Sequence, residues 1–156
     1  RGVYSSIHHP NIKRKIMLSS LGKAFGLTGG IIASDVEFIE KIKANDSFIS
    51  SAGMNPAFVQ TICDAEKIYR RQHKKLKDNL SHIKKNLKHS KAFQFQDDYP
   101  LIYIEKEEVN SILEENKIVI ANFKYASGIK DLNRIVITAN HKKKDLDQII
   151  RILNQF

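Results

Sequence analysis

A mixed α/β fold is predicted for this chain, and three observations carry the prediction. Short apolar runs of strand length alternate with segments whose apolar residues recur at helical spacing. Apolar residues make up 42% and charged residues 28% of the 156, the balance of a folded rather than a disordered chain. Cys63 is the single cysteine, so an internal disulfide and a multi-cysteine metal site are excluded and a hydrophobic core has to hold the fold. No run approaches the ~18 continuous apolar residues of a membrane helix. No signal peptide is visible, so a cytoplasmic protein with no membrane partner is expected.

The elements follow in order. Residues 14–20 read as a short buried strand ending in the hydroxyls of Ser19 and Ser20. Four of the seven glycines then fall within residues 21–30, where the backbone must turn tightly or approach a ligand. Ile31 to Ser34 form a second short strand. Asp35 is placed to cap a helix running to about Ala44, with Val36, Ile39 and Ile42 on one face. Residues 46–55 read as irregular, and Pro56 suits the first turn of a helix. Phe58, Ile62, Ala65, Tyr69, Leu76, Leu80, Ile83 and Leu87 make one helical stripe, and no Gly or Pro interrupts residues 57–88. One long helix is therefore expected, bent near His73. After Pro100 come a strand at Leu101–Ile104, a short helix at Glu107–Glu115, strands at 118–123 and 133–139, and a closing amphipathic helix at Lys144–Leu153. That second half should form a small layer of helices on a sheet.

The formal net charge is +9. Basic residues cluster at Lys13-Arg14-Lys15, at Arg70-Arg71 with Lys74-Lys75, at Lys84-Lys85 with Lys88, and at Lys142-Lys143-Lys144. Strong basicity can mark a nucleic-acid binder. These clusters lack the interleaved aromatics of a single-strand or RNA surface, and zinc-finger spacing is absent. Solvated helix faces account for such runs, and no nucleic-acid partner is expected. His8-His9 has no carboxylate or cysteine at ligand spacing, so no metal site is expected there.

Chemistry concentrates in Ser20-Leu21-Gly22-Lys23-Ala24-Phe25-Gly26, with Gly29-Gly30 after it. A lysine in a glycine-rich loop at a strand tip can form a Schiff base with an aldehyde cofactor, while a serine three residues earlier donates to a phosphate. Burial and nearby positive charge would free the neutral amine. Spacing alone leaves this reading and a surface lysine in a flexible turn both open. The segment is not a P-loop, because Gly-x4-Gly-Lys-Ser/Thr is absent.

The same segment resembles the cofactor-lysine motif of the α-oxoamine synthase family, fold-type I enzymes that use pyridoxal 5'-phosphate. Two further blocks resemble the family in order: Phe48-Ile49-Ser50-Ser51-Ala52-Gly53-Met54-Asn55-Pro56, and Leu132-Asn133-Arg134-Ile135-Val136-Ile137-Thr138-Ala139-Asn140-His141. Asp145-Leu146-Asp147 and the last helix fit the family's C-terminus, so the resemblance spans nearly the whole chain. It implies the C-terminal part of a PLP-dependent transferase fold. Residues 1–72 would be the end of the large parallel-sheet domain with the start of the long helix. Residues 73–156 would be the small C-terminal domain, with a mostly antiparallel sheet and helices on one face.

By that resemblance Lys23 would hold the cofactor and later shuttle the α-proton, and Ser20 would bind its phosphate. Ser51 is a candidate phosphate contact across a homodimer interface, although relatives carry Thr-Ser or Ser-Thr pairs where this chain has Ser51-Ala52-Gly53. Arg134 would clamp the amino-acid carboxylate, since a guanidinium fork fits a carboxylate bidentately. His141 carries no implied catalytic role. The family's ring-pairing Asp and ring-stacking His have no counterpart in residues 1–22, and the chain resembles about the last two-fifths of a member. The chain alone is therefore expected to be inactive. The reaction implied for the intact enzyme condenses an amino acid with an acyl-CoA and releases carbon dioxide. The reading leans to the biotin-pathway branch, with L-alanine and a pimeloyl thioester. The alternatives are the glycine and acetyl-CoA branch, another α-oxoamine synthase, a class I/II aminotransferase, or an inactive fragment serving only packing or dimerisation.

Overall fold

A computed structural model of the chain describes residues 7, 8, 10–123 and 132–156; the opening Arg1-Gly2-Val3-Tyr4 and His9 lie outside them. The chain divides into two compact units, Arg1–Glu66 and Lys67–Phe156.

In the first unit strands β1 (Met17–Ser20) and β2 (Gly30–Ala33) pair antiparallel, from Met17 opposite Ala33 to Ser20 opposite Gly30. β1 starts later than the apolar run from residue 14. The Lys15 carbonyl accepts from the Ser34 hydroxyl (2.7 Å) rather than from a partner strand. Helix α1 (Val36–Lys43) is capped as expected: Asp35 Oδ1 accepts from the Phe38 N–H at 2.9 Å. That hydrogen bond, together with the Arg14 guanidinium on Oδ2, holds the Asp35 carboxyl below its ordinary range. Residues expected to be irregular contain a single-turn helix α2 (Asp46–Ile49), whose Asn45 side chain accepts from the Ser47 N–H.

The long helix is two helices, α3 (Pro56–Asp64) and α4 (Glu66–Asn86). The break falls at Ala65, which leaves helical geometry with ψ at +6° while its N–H still bonds the Thr61 carbonyl. Pro56 does occupy the first turn of α3, and Asn55 Oδ1 accepts from the Ala57 N–H. Leu21 and Leu27 are the buried apolar residues described in this unit, whereas Leu18 is 77% exposed and Ile16, Ile31 and Ile32 are also open.

The second unit is a four-stranded antiparallel sheet in the order β3-β4-β6-β5, built from β3 (Phe93–Phe95), β4 (Leu101–Ile104), β5 (Ala121–Phe123) and β6 (Leu132–Val136). Helices α5 (Glu107–Glu115) and α6 (Lys143–Leu153) complete it with α4. Side chains alternate across a strand. Register places Ile102 beside Ile135 on the core face and Tyr103 beside Arg134 on the other. Leu80 and Ile83 of α4, Val109 and Leu113 of α5, and Leu146, Ile149, Ile150 and Leu153 of α6 close one core over Phe93, Ile102, Ile104 and Ile135. β3 is an element the pattern missed. β5 is shorter than the apolar run from Ile118, because the Ile118 N–H bonds the Leu113 carbonyl and finishes α5 instead. The sheet is antiparallel with its helices on the core side, as the resemblance implied.

Candidate active site

The β1–β2 connection is built from its ends inward. The Leu21 N–H donates to the Gly29 carbonyl and the Leu27 N–H to the Leu21 carbonyl, both at 3.0 Å. Leu21 and Leu27 are buried and anchor the loop; between them Lys23 to Gly26 closes a turn, the Gly26 N–H on the Lys23 carbonyl at 3.1 Å. Gly26 (φ +66°) and Gly29 (φ +99°) take left-handed conformations that favour glycine. A Cβ on Gly29 would also meet Met54 Cε at 2.9 Å. The glycine cluster thus has two local causes, a turn and a close approach.

Ser20 ends β1 and Lys23 sits at the loop's turn, so one loop carries both. Ser20 Oγ accepts from the Gly22 N–H at 3.3 Å, which leaves its own O–H available to donate. Lys23 is exposed and its amine forms no ion pair among the described residues. The burial expected for it is not found within this chain. Met54, packed on Gly29, brings the segment holding Ser51 against the loop. The Ser51 hydroxyl is exposed and donates to the Phe48 carbonyl at 2.8 Å, finishing α2.

Arg134 belongs to the second unit. It lies on β6 between Tyr103 and Ala121, on the sheet face away from the core, with its guanidinium 5.0 Å from the Phe123 ring centroid. Cation–π contact seats the guanidinium over the ring, while Nε is buried with no hydrogen-bond partner among the described residues. Such a buried donor calls for an acceptor. Four residues on, the chain is pinned from α4: Asn79 Nδ2 donates to the carbonyls of Thr138 (2.9 Å) and His141 (3.2 Å). His141 Nδ1 accepts from the Thr138 N–H at 3.1 Å, so its role is to close this turn. Sequence reasoning missed Phe123 and Asn79 as supports, because neither strand alternation nor the helical stripe distinguishes a clamp from a surface residue. Among the described residues no group of three His, Cys, Asp or Glu could hold a metal, and no helix is long and apolar enough to cross a membrane.

Residues 3–153 match the model of the family described as aminotransferase class I and II. An 8-amino-7-oxononanoate synthase of Petrotoga mobilis is 32% identical over 144 residues, covering 85% of this chain and 37% of that protein. One of Thermoanaerobacter pseudethanolicus is 28% identical over 160 residues, covering 94% of this chain and 40% of that protein. Among solved structures, the 8-amino-7-oxononanoate synthase from Francisella tularensis superposes with a TM-score of 0.65 at 20% identity, over 90% of this chain and 44% of that one. A serine palmitoyltransferase from S. paucimobilis with a bound PLP–myriocin aldimine gives 0.63 at 15%, over 90% and 39%. The chain therefore spans about two-fifths of the length of these proteins. The α/β fold is shared with those solved structures, and with residues 3–153 inside the family model the chain belongs to the aminotransferase class I and II family.

Proposed function

We propose that the protein carrying this chain is a PLP-dependent acyltransferase of the 8-amino-7-oxononanoate synthase kind, joining an amino acid to an acyl-CoA with loss of carbon dioxide. The observation that carries the reading is one loop holding an uncommitted amine, Lys23, and a hydroxyl free to donate, Ser20. The relatives' shared name, 8-amino-7-oxononanoate synthase, supplies the reaction. This donor set fits pyridoxal 5'-phosphate: an amine for its aldehyde, a hydroxyl for its phosphate, and tight glycine backbone beside both. When bound, that group supplies an electron sink for charge developing at the amino acid's α-carbon.

The chain's own residues then divide the work. Lys23 would hold the group through its amine and, when that amine is free, would take the proton from the amino acid's α-carbon. Arg134 takes the substrate carboxylate on its planar fork, and the Phe123 ring beside it limits where the guanidinium can move. The α-carbon bonds to the thioester carbonyl carbon and CoA leaves as the thiol, carrying the proton that Lys23 removed; the carboxylate then departs as carbon dioxide and a proton from solvent takes its place on the α-carbon. Ser51 is assigned a phosphate contact across a homodimer, for which its hydroxyl has to leave the Phe48 carbonyl. The working assembly is taken as a cytoplasmic homodimer with residues 1–72 in the large domain and 73–156 in the small one. The open apolar side chains of β1 and β2 are in keeping with more covering chain.

The test is borohydride reduction of the full-length protein with cofactor, followed by peptide mass mapping. The pyridoxyl mass should fall on Lys23, and a label on any other lysine would refute the assignment. Thiol release should be fastest for L-alanine with pimeloyl-CoA; faster release from glycine with acetyl-CoA would move the protein to that branch.

A further inference from the structure

The face of the second unit's sheet that turns away from the core carries a row of polar side chains. Register sets Gln94 on β3 beside Tyr103 on β4, and Tyr103 beside Arg134 on β6. Ala121 on β5 ends the row. Ile102 and Ile135, the next residues along β4 and β6, are buried in the core, so the row stands on the opposite face. Apolar residues flank it on both sides, Leu101 with Val136 on one and Phe123 on the other, and Val136 and Phe123 are open.

Two members of the row have hydrogen bonds to spare. Arg134 lies against Phe123 and makes no hydrogen bond or ion pair among the described residues; its Nε is buried and still lacks an acceptor. Tyr103 is half-buried, and its hydroxyl likewise has no partner among the described residues, Arg134 included. Side chains directly opposite on neighbouring strands start about 5 Å apart and stand roughly upright from the sheet. A phenol and a guanidinium at that spacing can share one carboxylate oxygen, at about 2.8 Å from each.

Other neighbours of Arg134 on this face cannot do the same. Gln94 is a strand further off, at about 10 Å. Ala121, Leu101, Val136 and Phe123 have no hydrogen-bonding side chain. Glu105, two residues beyond Tyr103, is an acid, and an ionised carboxyl has no hydrogen to donate.

We propose that Tyr103 is a second substrate-binding residue, whose hydroxyl donates to the amino-acid carboxylate that Arg134 holds. The proposal rests on the carboxylate role assigned to Arg134 above. The two side chains divide the recognition: Arg134 supplies charge, and Tyr103 adds a directional bond from the neighbouring strand. Apolar flanks thin the water around that bond and strengthen it.

Calorimetric titration of the full-length protein with cofactor tests this, with L-alanine, glycine and L-serine as the titrants. Tyr103→Phe keeps the ring and removes the hydroxyl. For the amino acid that wild type binds most tightly, the dissociation constant should rise about tenfold or more, the cost of a hydrogen bond to a charged group. KM for the thioester should stay within about twofold, and the melting temperature should not change. In an Arg134→Lys background, loss of the hydroxyl should add less than about threefold, because both groups serve one carboxylate. Equal affinity of wild type and Tyr103→Phe for the amino acid, equal rises for amino acid and thioester, or full additivity with Arg134→Lys would each overturn the role of Tyr103 and leave the acyltransferase reading standing. A wild-type protein that binds none of the three amino acids would overturn that reading, and the proposal with it.

Discussion

Single side chains decide how the candidate site is read. Lys23 should prove irreplaceable: Lys23→Ala in the full-length protein should remove the visible absorbance of lysine-bound cofactor and lower turnover by at least a thousandfold, about 4 kcal/mol of barrier. Survival of that band in the variant would send the lysine role elsewhere. Arg134→Lys keeps the charge but loses the fork and its seat on Phe123. Its expected signature is a KM for the amino acid raised roughly tenfold or more, with a smaller change in KM for the thioester; equal rises for both substrates would argue against a carboxylate clamp. Asp35 gives a pH prediction. Its folded carboxyl titrates lower than normal, first through the Phe38 N–H and then through Arg14. A group depressed on folding stabilises above its unfolded pKa and loses that contribution as pH falls through the folded value. The α1 cap should therefore persist through the ordinary carboxylate range and fail only below it, read by NMR titration of the Asp35 carboxyl. That Ser20 and Lys23 share one glycine-rich loop was legible in the sequence, while the roles proposed for them come from the resemblance, because spacing alone left a surface lysine open. The pinning of Ser51 to Phe48 and the seat under Arg134 were not legible, since both depend on where a neighbouring carbonyl or ring lands.

Elements were legible where a local signal marked their ends. Asp35 and Pro56 open α1 and α3 as their chemistry dictates. The division at Ala65 carried no such mark: alanine is the best helix former, and the apolar stripe runs across it without a change of phase. β3 went unseen because three residues, Phe-Gln-Phe, show too little alternation to count. Only their register against Ile104, Tyr103 and Ile102 makes them a strand. The turn after β6 shows how elements are held once formed. Asn79 reaches from α4 to two carbonyls whose spacing in sequence, 59 and 62 residues away, hides the link. Asn79→Ala should cost about 1–3 kcal/mol in denaturant unfolding. Asn79→Asp, which offers no N–H, should be no better, and a variant as stable as the parent would show that water replaces the clamp.

At the scale of the molecule, burial is divided very unequally. Among the described residues fifteen buried apolar side chains belong to the core of Lys67–Phe156, while Arg1–Glu66 contributes Leu21 and Leu27. Composition could not reveal this, because apolar residues are spread along the whole chain; only the packing shows that those of β1 and β2 stay open. Burial is the dominant stabilising term, about 25 cal/mol per Å² of apolar surface, so local stability should follow the same division. Leu113 is fully buried in the second unit, and Leu113→Ala should cost about 2–5 kcal/mol through lost burial and the cavity left behind. Leu18→Ala, at a side chain 77% exposed, should cost well under about 1 kcal/mol in the same chain. Hydrogen exchange by mass spectrometry tests the division without mutation. In the 156-residue chain β4, β6 and α6 should protect their amides longest, and the β1–β2 hairpin, for all its ladder bonds, should exchange early. The ladder and the core make opposite forecasts for that hairpin. Amides of Leu18 and Ile32 protected as long as those of Ile102 and Ile135 would mean that backbone pairing, not burial, holds the first unit together.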